Sequence, residues 1–183
     1  ALAGTAALAF LVVVHFIYAF ILTAQNRKAR GNNRYAVTEK PAKVEWASQN
    51  MLVLGVIIIL GMILHLYNFW YNMMFAELAG LERAIAPTDG YGYIVETFSN
   101  PVYVVLYIVW LAAIWFHLSH GFWSAMQTLG VSGKIWFPRW KCIGQIWATV
   151  VVLMFVVVCV LFACGYQAPD AADCCAEAAG ACC

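Results

Sequence analysis

The chain has 183 residues, 64% of them hydrophobic and only 10% charged, with a formal net charge of +1. A water-soluble fold would lack the polar surface to cover its outside, so lipid is the expected solvent. The near-zero net charge gives no reason to expect a nucleic-acid partner.

A hydrocarbon core of about 30 Å takes roughly 20 apolar residues per spanning helix. Four stretches meet that length: Ala1 to Ala24, Trp46 to Phe75, Pro101 to Gln127 and Ile143 to Cys164. A transmembrane barrel would instead show alternating strands of about ten residues. The expected fold is therefore all-α, a polytopic transmembrane helical bundle over residues 1–166, followed by a disordered, outward-facing, Cys-rich tail over 167–183. The opening residues ALAGTAALAF already lie inside an apolar run without a basic leader or a cleavage pattern. A chain end there would leave up to four backbone N–H groups without partners in lipid, so at least one upstream helix is expected.

Between the first and second spans stand Arg27, Lys28, Arg30, Arg34, Lys40 and Lys43, opposed only by Glu39 and Glu45. The loop between the second and third spans has Arg83 against Glu77, Glu82, Asp89 and Glu96, while Lys134, Arg139 and Lys141 sit without an acid between the third and fourth. The positive-inside rule places the basic loops 26–46 and 128–142 on the cytoplasmic side, with the acidic loop and the tail outside. The first basic stretch is either a topology signal alone or a docking surface for a cytoplasmic subunit.

In the acidic loop, PTDGYGY and SNP read as turn chemistry. Ser99 or Asn100 would cap the third span with Pro101 in its first turn, and the PRW of Pro138 to Trp140 would open the fourth in a similar way. Trp46, Trp70, Trp136 and Trp140 fall near the ends of these spans, as an interfacial belt would.

All four histidines, His15, His65, His117 and His120, lie inside these spans. Ionisable groups there are costly and face a cavity, a partner or a cofactor, and the spans hold no Asp, Glu, Lys or Arg to pair with them. The alternative is a set of neutral imidazoles hydrogen-bonded between helices. A six-coordinate haem takes one neutral imidazole from each of two facing helices. His15 lies about 18 Å of helix before Arg27, and His117 and His120 precede Gln127 in the same inner half. One haem could bridge the first and third spans there. His65 lies in the outer half without a partner in this chain. Zinc is disfavoured, because no intramembrane carboxylate or Cys pair completes a tetrahedral set around His117 and His120. Trp110, Trp115, Phe116, Phe122 and Trp123 suit haem packing, though such an aromatic stripe is more often ordinary helix contact.

The segment HLSHGFWSAMQTLG from His117, with Gly121 and Gly130, the run QNRKARG at 25–31 and WASQNM at 46–51 together resemble the membrane-anchor cytochrome b subunit of succinate dehydrogenases and fumarate reductases, in its single-chain, five-helix, di-haem form. The resemblance covers residues 1–164 and implies that the spans are helices two to five. It implies His15 and His117 as axial ligands of an inner haem b, and His65 as ligand of an outer one shared with a histidine of the upstream helix. His117 is preferred to His120 because it stands four residues before Gly121 and thirteen before Gly130, as the family's ligand does. His120 is left to hydrogen-bond a propionate or quinone, or to pack. Ser124 and Gln127 are hydrogen-bond candidates for a propionate.

The resemblance also implies an iron–sulfur subunit and an FAD flavoprotein on the cytoplasmic side, menaquinone or another quinone as substrate, and a dimer of heterotrimers. Trp115 replaces a glutamate that some members carry two residues before this ligand, which removes that proton path. Two alternatives stay open: the cytochrome b anchor of another quinone-linked dehydrogenase, such as a formate dehydrogenase or hydrogenase, and a haem-free anchor or assembly protein. Of the seven cysteines, Cys142, Cys159 and Cys164 are expected to pack as small apolar residues. Cys174, Cys175, Cys182 and Cys183 form CC-AEAAGA-CC in the tail, a spacing that permits disulfides or a soft-metal site.

Overall fold

The computed structural model describes residues 2–31 and 45–166. Arg34, Glu39, Lys40, Lys43 and the tail cysteines lie outside the described residues. Among the described residues every regular element is helical. The elements are α1 (Leu2–Arg30), the single turn α2 (Trp46–Gln49), α3 (Met51–His65), a π-helical segment (Leu66–Phe75), α4 (Ala76–Ala79), α5 (Gly90–Phe98), α6 (Pro101–Thr128) and α7 (Trp136–Ala163). Two units divide the chain, Ala1–Val53 and Leu54–Cys183.

Four helical stretches are long and apolar enough to cross a membrane: Leu2–Ala29, Met51–Ala79, Pro101–Thr128 and Trp136–Ala163. At 1.5 Å per residue, 28 residues reach about 42 Å, which exceeds the hydrocarbon thickness and carries each helix into the headgroup region. The expected spans are all present with shifted ends: the first is described from Leu2, the second starts at Met51 instead of Trp46, and the fourth ends at Ala163 instead of Cys164, while the other ends reach or pass the expected bounds. The first runs on through Arg27 and Lys28, whose charges complement the carbonyl end of its dipole, and stops at Gly31, which adopts a left-handed φ of 63°. The fourth begins at Trp136, ahead of the expected Ile143, so Pro138 lies within its first turn. The second reaches Ala79, which leaves Trp70 inside the span instead of at its end.

Two local structures differ from the sequence expectation. PTDGYGY is a turn only in its first half. Asp89 caps α5 by accepting from Gly92 N at 2.9 Å, and the chain from Gly90 is helical. The second span changes pitch after His65. In the π-helical turn the Asn72 amide Nδ2 donates to the Tyr67 and Asn68 carbonyls at 3.0 and 3.2 Å, which meets acceptors loosened by the wider winding. Tyr67 stacks on Tyr71 at 5.8 Å and Tyr71 on Phe75 at 5.3 Å, with Arg83 over the Tyr71 ring. At the start of α6, Asn100 takes the cap, accepting from Val102 N at 2.9 Å, with Pro101 in the first turn.

The second unit is held chiefly by α6 against α7. Gly144, Ala148 and Val152 form a buried stripe of small residues at four-residue spacing on α7, the arrangement that lets helices approach closely in lipid. The Phe122 ring lies where a Cβ on Gly144 would stand. Further along, Trp115 Nε1 of α6 donates to Thr149 Oγ1 of α7 at 2.9 Å. The buried cluster of Phe98, Tyr107, Leu111, Val152 and Cys159 joins α5 to this pair. Cys159 is buried as expected, whereas Cys142 and Cys164 are exposed at the ends of α7.

Candidate cofactor site

His65 ends α3 at the junction with the π-helical segment, where the change of winding resets the direction of every later side chain. It borders a cavity of about 450 Å3 whose walls are otherwise almost wholly apolar. Phe69 and Met73 continue its helix along the wall, Ile94 and Phe98 come from α5, and Tyr107, Trp110, Leu111 and Ile114 from α6. The α7 wall includes Val152, Phe155 and Cys159. The α6 residues recur at three- and four-residue intervals, one face of a helix.

The imidazole is framed by Phe69, Trp110 and Tyr107, with ring centroids 5.1, 5.4 and 6.1 Å away. Its Nδ1 is buried and has no hydrogen-bond partner. A buried polar atom without a partner costs free energy. The volume lies in the range of small-molecule and cofactor pockets. The cavity therefore has one imidazole in an otherwise apolar wall.

Polar groups gather on the side of the cavity toward the acidic loop. Asn68, buried one turn beyond His65, lies with its amide Nδ2 3.4 Å from the Tyr107 hydroxyl. Tyr93 of α5 donates to the Ile85 carbonyl at 2.9 Å and lies 3.2 Å from the Asn72 carbonyl, which fastens α5 to the π-helical segment. Sequence reasoning passed over Asn68, Tyr93 and Tyr107. Its available signal was the YNFWYN run, in which two asparagines interrupt an otherwise apolar span.

The other candidate residues lie elsewhere. His117 stands on α6 one turn beyond Ile114, seven residues from Trp110 and on the same helix face. His120 stands three residues beyond His117, with its ring 4.7 Å from that of Trp123. Ser124 and Gln127 follow in the last turns of α6, the first half-buried and the second exposed. None of these four borders the cavity. His15 is exposed near the middle of α1 in the first unit, with the Phe16 ring 6.2 Å away. Of the aromatic residues, Trp110 lines the cavity, while Trp115 and Phe122 join α6 to α7.

The fold defines the class of protein, a multi-pass α-helical membrane protein. Comparison with protein-family models, with curated proteins and with solved structures gives no match to this chain.

Proposed function

We propose that this chain is the haem b-binding membrane anchor of a succinate dehydrogenase or fumarate reductase, passing electrons between an iron–sulfur subunit and a membrane quinone. The observation that carries the reading is His65, an intramembrane histidine in the wall of an otherwise apolar cavity of about 450 Å3. The resemblance carried by HLSHGFWSAMQTLG, QNRKARG and WASQNM supplies the choice among quinone-linked complexes.

In this reading His65 holds the outer haem, and His15 with His117 the inner one. The haems supply one-electron carriage through iron. The chain's own residues provide imidazole donors, exclude water and fix orientation. Phe69, Tyr107 and Trp110 hold the His65 ring in place. Phe98, Leu111 and Val152 keep the cavity apolar, the condition under which burial and axial ligand set a haem's potential. The basic stretch between the first two spans, of which Arg27 and Lys28 are described, is the docking side for the iron–sulfur subunit, with the flavoprotein beyond it.

The test is a reduced-minus-oxidised optical spectrum of the purified full chain and of His65→Ala. Bands of b-type haem in the wild type, with one component missing from the variant, are the expected result. A wild-type spectrum without such bands overturns the proposal. Co-purification of a flavoprotein and reduction of the haem by succinate are expected as well; their absence would place the chain with another quinone-linked dehydrogenase.

A further inference from the structure

The amino-terminal end of α7 combines charge and aromatic surface in a way that the electron-transfer reading does not use. The sequence has no Asp or Glu between Glu96 and Asp170, yet Lys134, Arg139 and Lys141 fall within eight residues of one another. Two of these cations rest on aromatic rings. The Arg139 guanidinium lies 5.2 Å from the Trp136 ring centroid, and Lys141 Nζ lies 4.4 Å from that of Trp123 and 5.2 Å from that of Phe137. Trp136 stacks on Trp140 at 5.4 Å, and Trp123 meets Phe137 edge to face at 5.3 Å. The preceding turn is held by Trp140 Nε1, which donates to the Val131 carbonyl at 3.0 Å.

Around these cations the surface is apolar. Leu129, Val131, Ile135 and Trp136 are exposed at 70, 50, 66 and 48%. In water such residues would be a liability; at the acyl–headgroup boundary they are embedded. The helix end adds to the field. α7 has no side-chain cap and no acid in its first turn, so its dipole favours an anion there.

We infer that this helix end, where Lys134 precedes Arg139 seated on Trp136 and Lys141 seated on Trp123 and Phe137, binds the phosphodiester headgroups of acidic glycerophospholipids. Exposed aliphatic residues beside the cations fit an acyl chain, whereas a soluble protein partner would meet charge and apolar surface interleaved at membrane depth. Each cation near such a surface contributes about 1 kcal/mol, about a fivefold change in affinity.

The experiment is native mass spectrometry of the full chain in detergent, titrated with equal amounts of phosphatidylglycerol and phosphatidylcholine. The wild type is expected to retain phosphatidylglycerol preferentially. Arg139→Gln/Lys141→Gln should lower that preference by more than tenfold, and Arg139→Lys/Lys141→Arg should keep it. Arg27→Gln/Lys28→Gln, which removes the same charge from the end of α1, should leave it unchanged. Equal retention of the two lipids by the wild type overturns the inference. So does an equal loss in the two glutamine pairs, which would make net charge the whole effect. Binding of a soluble protein through Arg139 and Lys141 without lipid preference overturns it in favour of a protein-docking surface.

Discussion

Trp110 of α6 donates its indole Nε1 to the backbone carbonyl of Ile58 on α3 at 3.0 Å. The ring that makes this bond occupies the space a Cβ on Gly61 would need, and it also forms part of the wall beside His65. One residue therefore sets both the approach of α3 to α6 and one side of the cavity. Gly61→Ala should force the indole away and cost about 1–3 kcal/mol, the usual penalty for overpacking. Gly55→Ala on the same helix meets nothing within 4 Å and should be neutral or slightly stabilising, since alanine is the better helix former. Thermal unfolding of the two variants in detergent checks the contrast. Equal melting temperatures would show that Trp110 is not held as described.

The spans were legible in the sequence because lipid imposes a length on apolar runs and basic residues cannot stay within them. Pro101 and Asn100 were legible for a similar reason, as local chemistry that needs no tertiary context. The π-helical winding at 66–75 was not, since hydropathy is indifferent to the number of residues per turn. The helix α5 was hidden by its glycines: GYGY reads as a turn until Asp89 is seen to cap Gly92. For the candidate site, the sequence singled out His65 and the aromatic residue Trp110. The cavity beside them depends on α5 and α7 packing against α6, and no spacing within one helix reports which residues of another will face it.

Gly130 ends α6 with a left-handed φ of 75°. Its N–H donates to the Gln127 carbonyl at 3.0 Å, and the Val131 N–H to that of Met126 at 3.1 Å, closing the helix. An alanine there would be strained by about 1–2 kcal/mol, and an asparagine by less, because its short polar side chain tolerates the conformation. Melting temperatures should therefore rank wild type, Gly130→Asn, Gly130→Ala. A variant with alanine as stable as the wild type would contradict the closure. Gly121, which has nothing within 4 Å of its Cβ position, should accept alanine without loss of fold.

The proposed inner haem makes a paired prediction. His15→Ala and His117→Ala should each remove the same b-type component from the difference spectrum, and both should keep the component lost in His65→Ala. His120→Ala should retain both components, since the resemblance gives His117 and not His120 as the ligand. Retention of both components in His15→Ala and His117→Ala would refute the pairing without touching His65.

Asn68 and Tyr107 make the last test, because their contact joins two spanning helices beside the cavity. Asn68 is 7% exposed and its amide lies 3.4 Å from the Tyr107 hydroxyl, a long hydrogen bond by ordinary standards. Bonds between membrane helices contribute about 0.6 kcal/mol on average and rarely more than about 1.7. Tyr107→Phe should therefore cost little through the lost bond alone, within that range, and leave the ring contacts to Phe69, Phe98 and Trp110 in place. Tyr107→Ala should cost about 3–5 kcal/mol, since it removes a ring packed at the centre of the buried cluster. Unfolding free energies in bicelles distinguish the two contributions. If phenylalanine proved as damaging as alanine, the hydroxyl and not the ring would hold α6 against the π-helical segment, and the cavity wall beside His65 would rest on a polar contact.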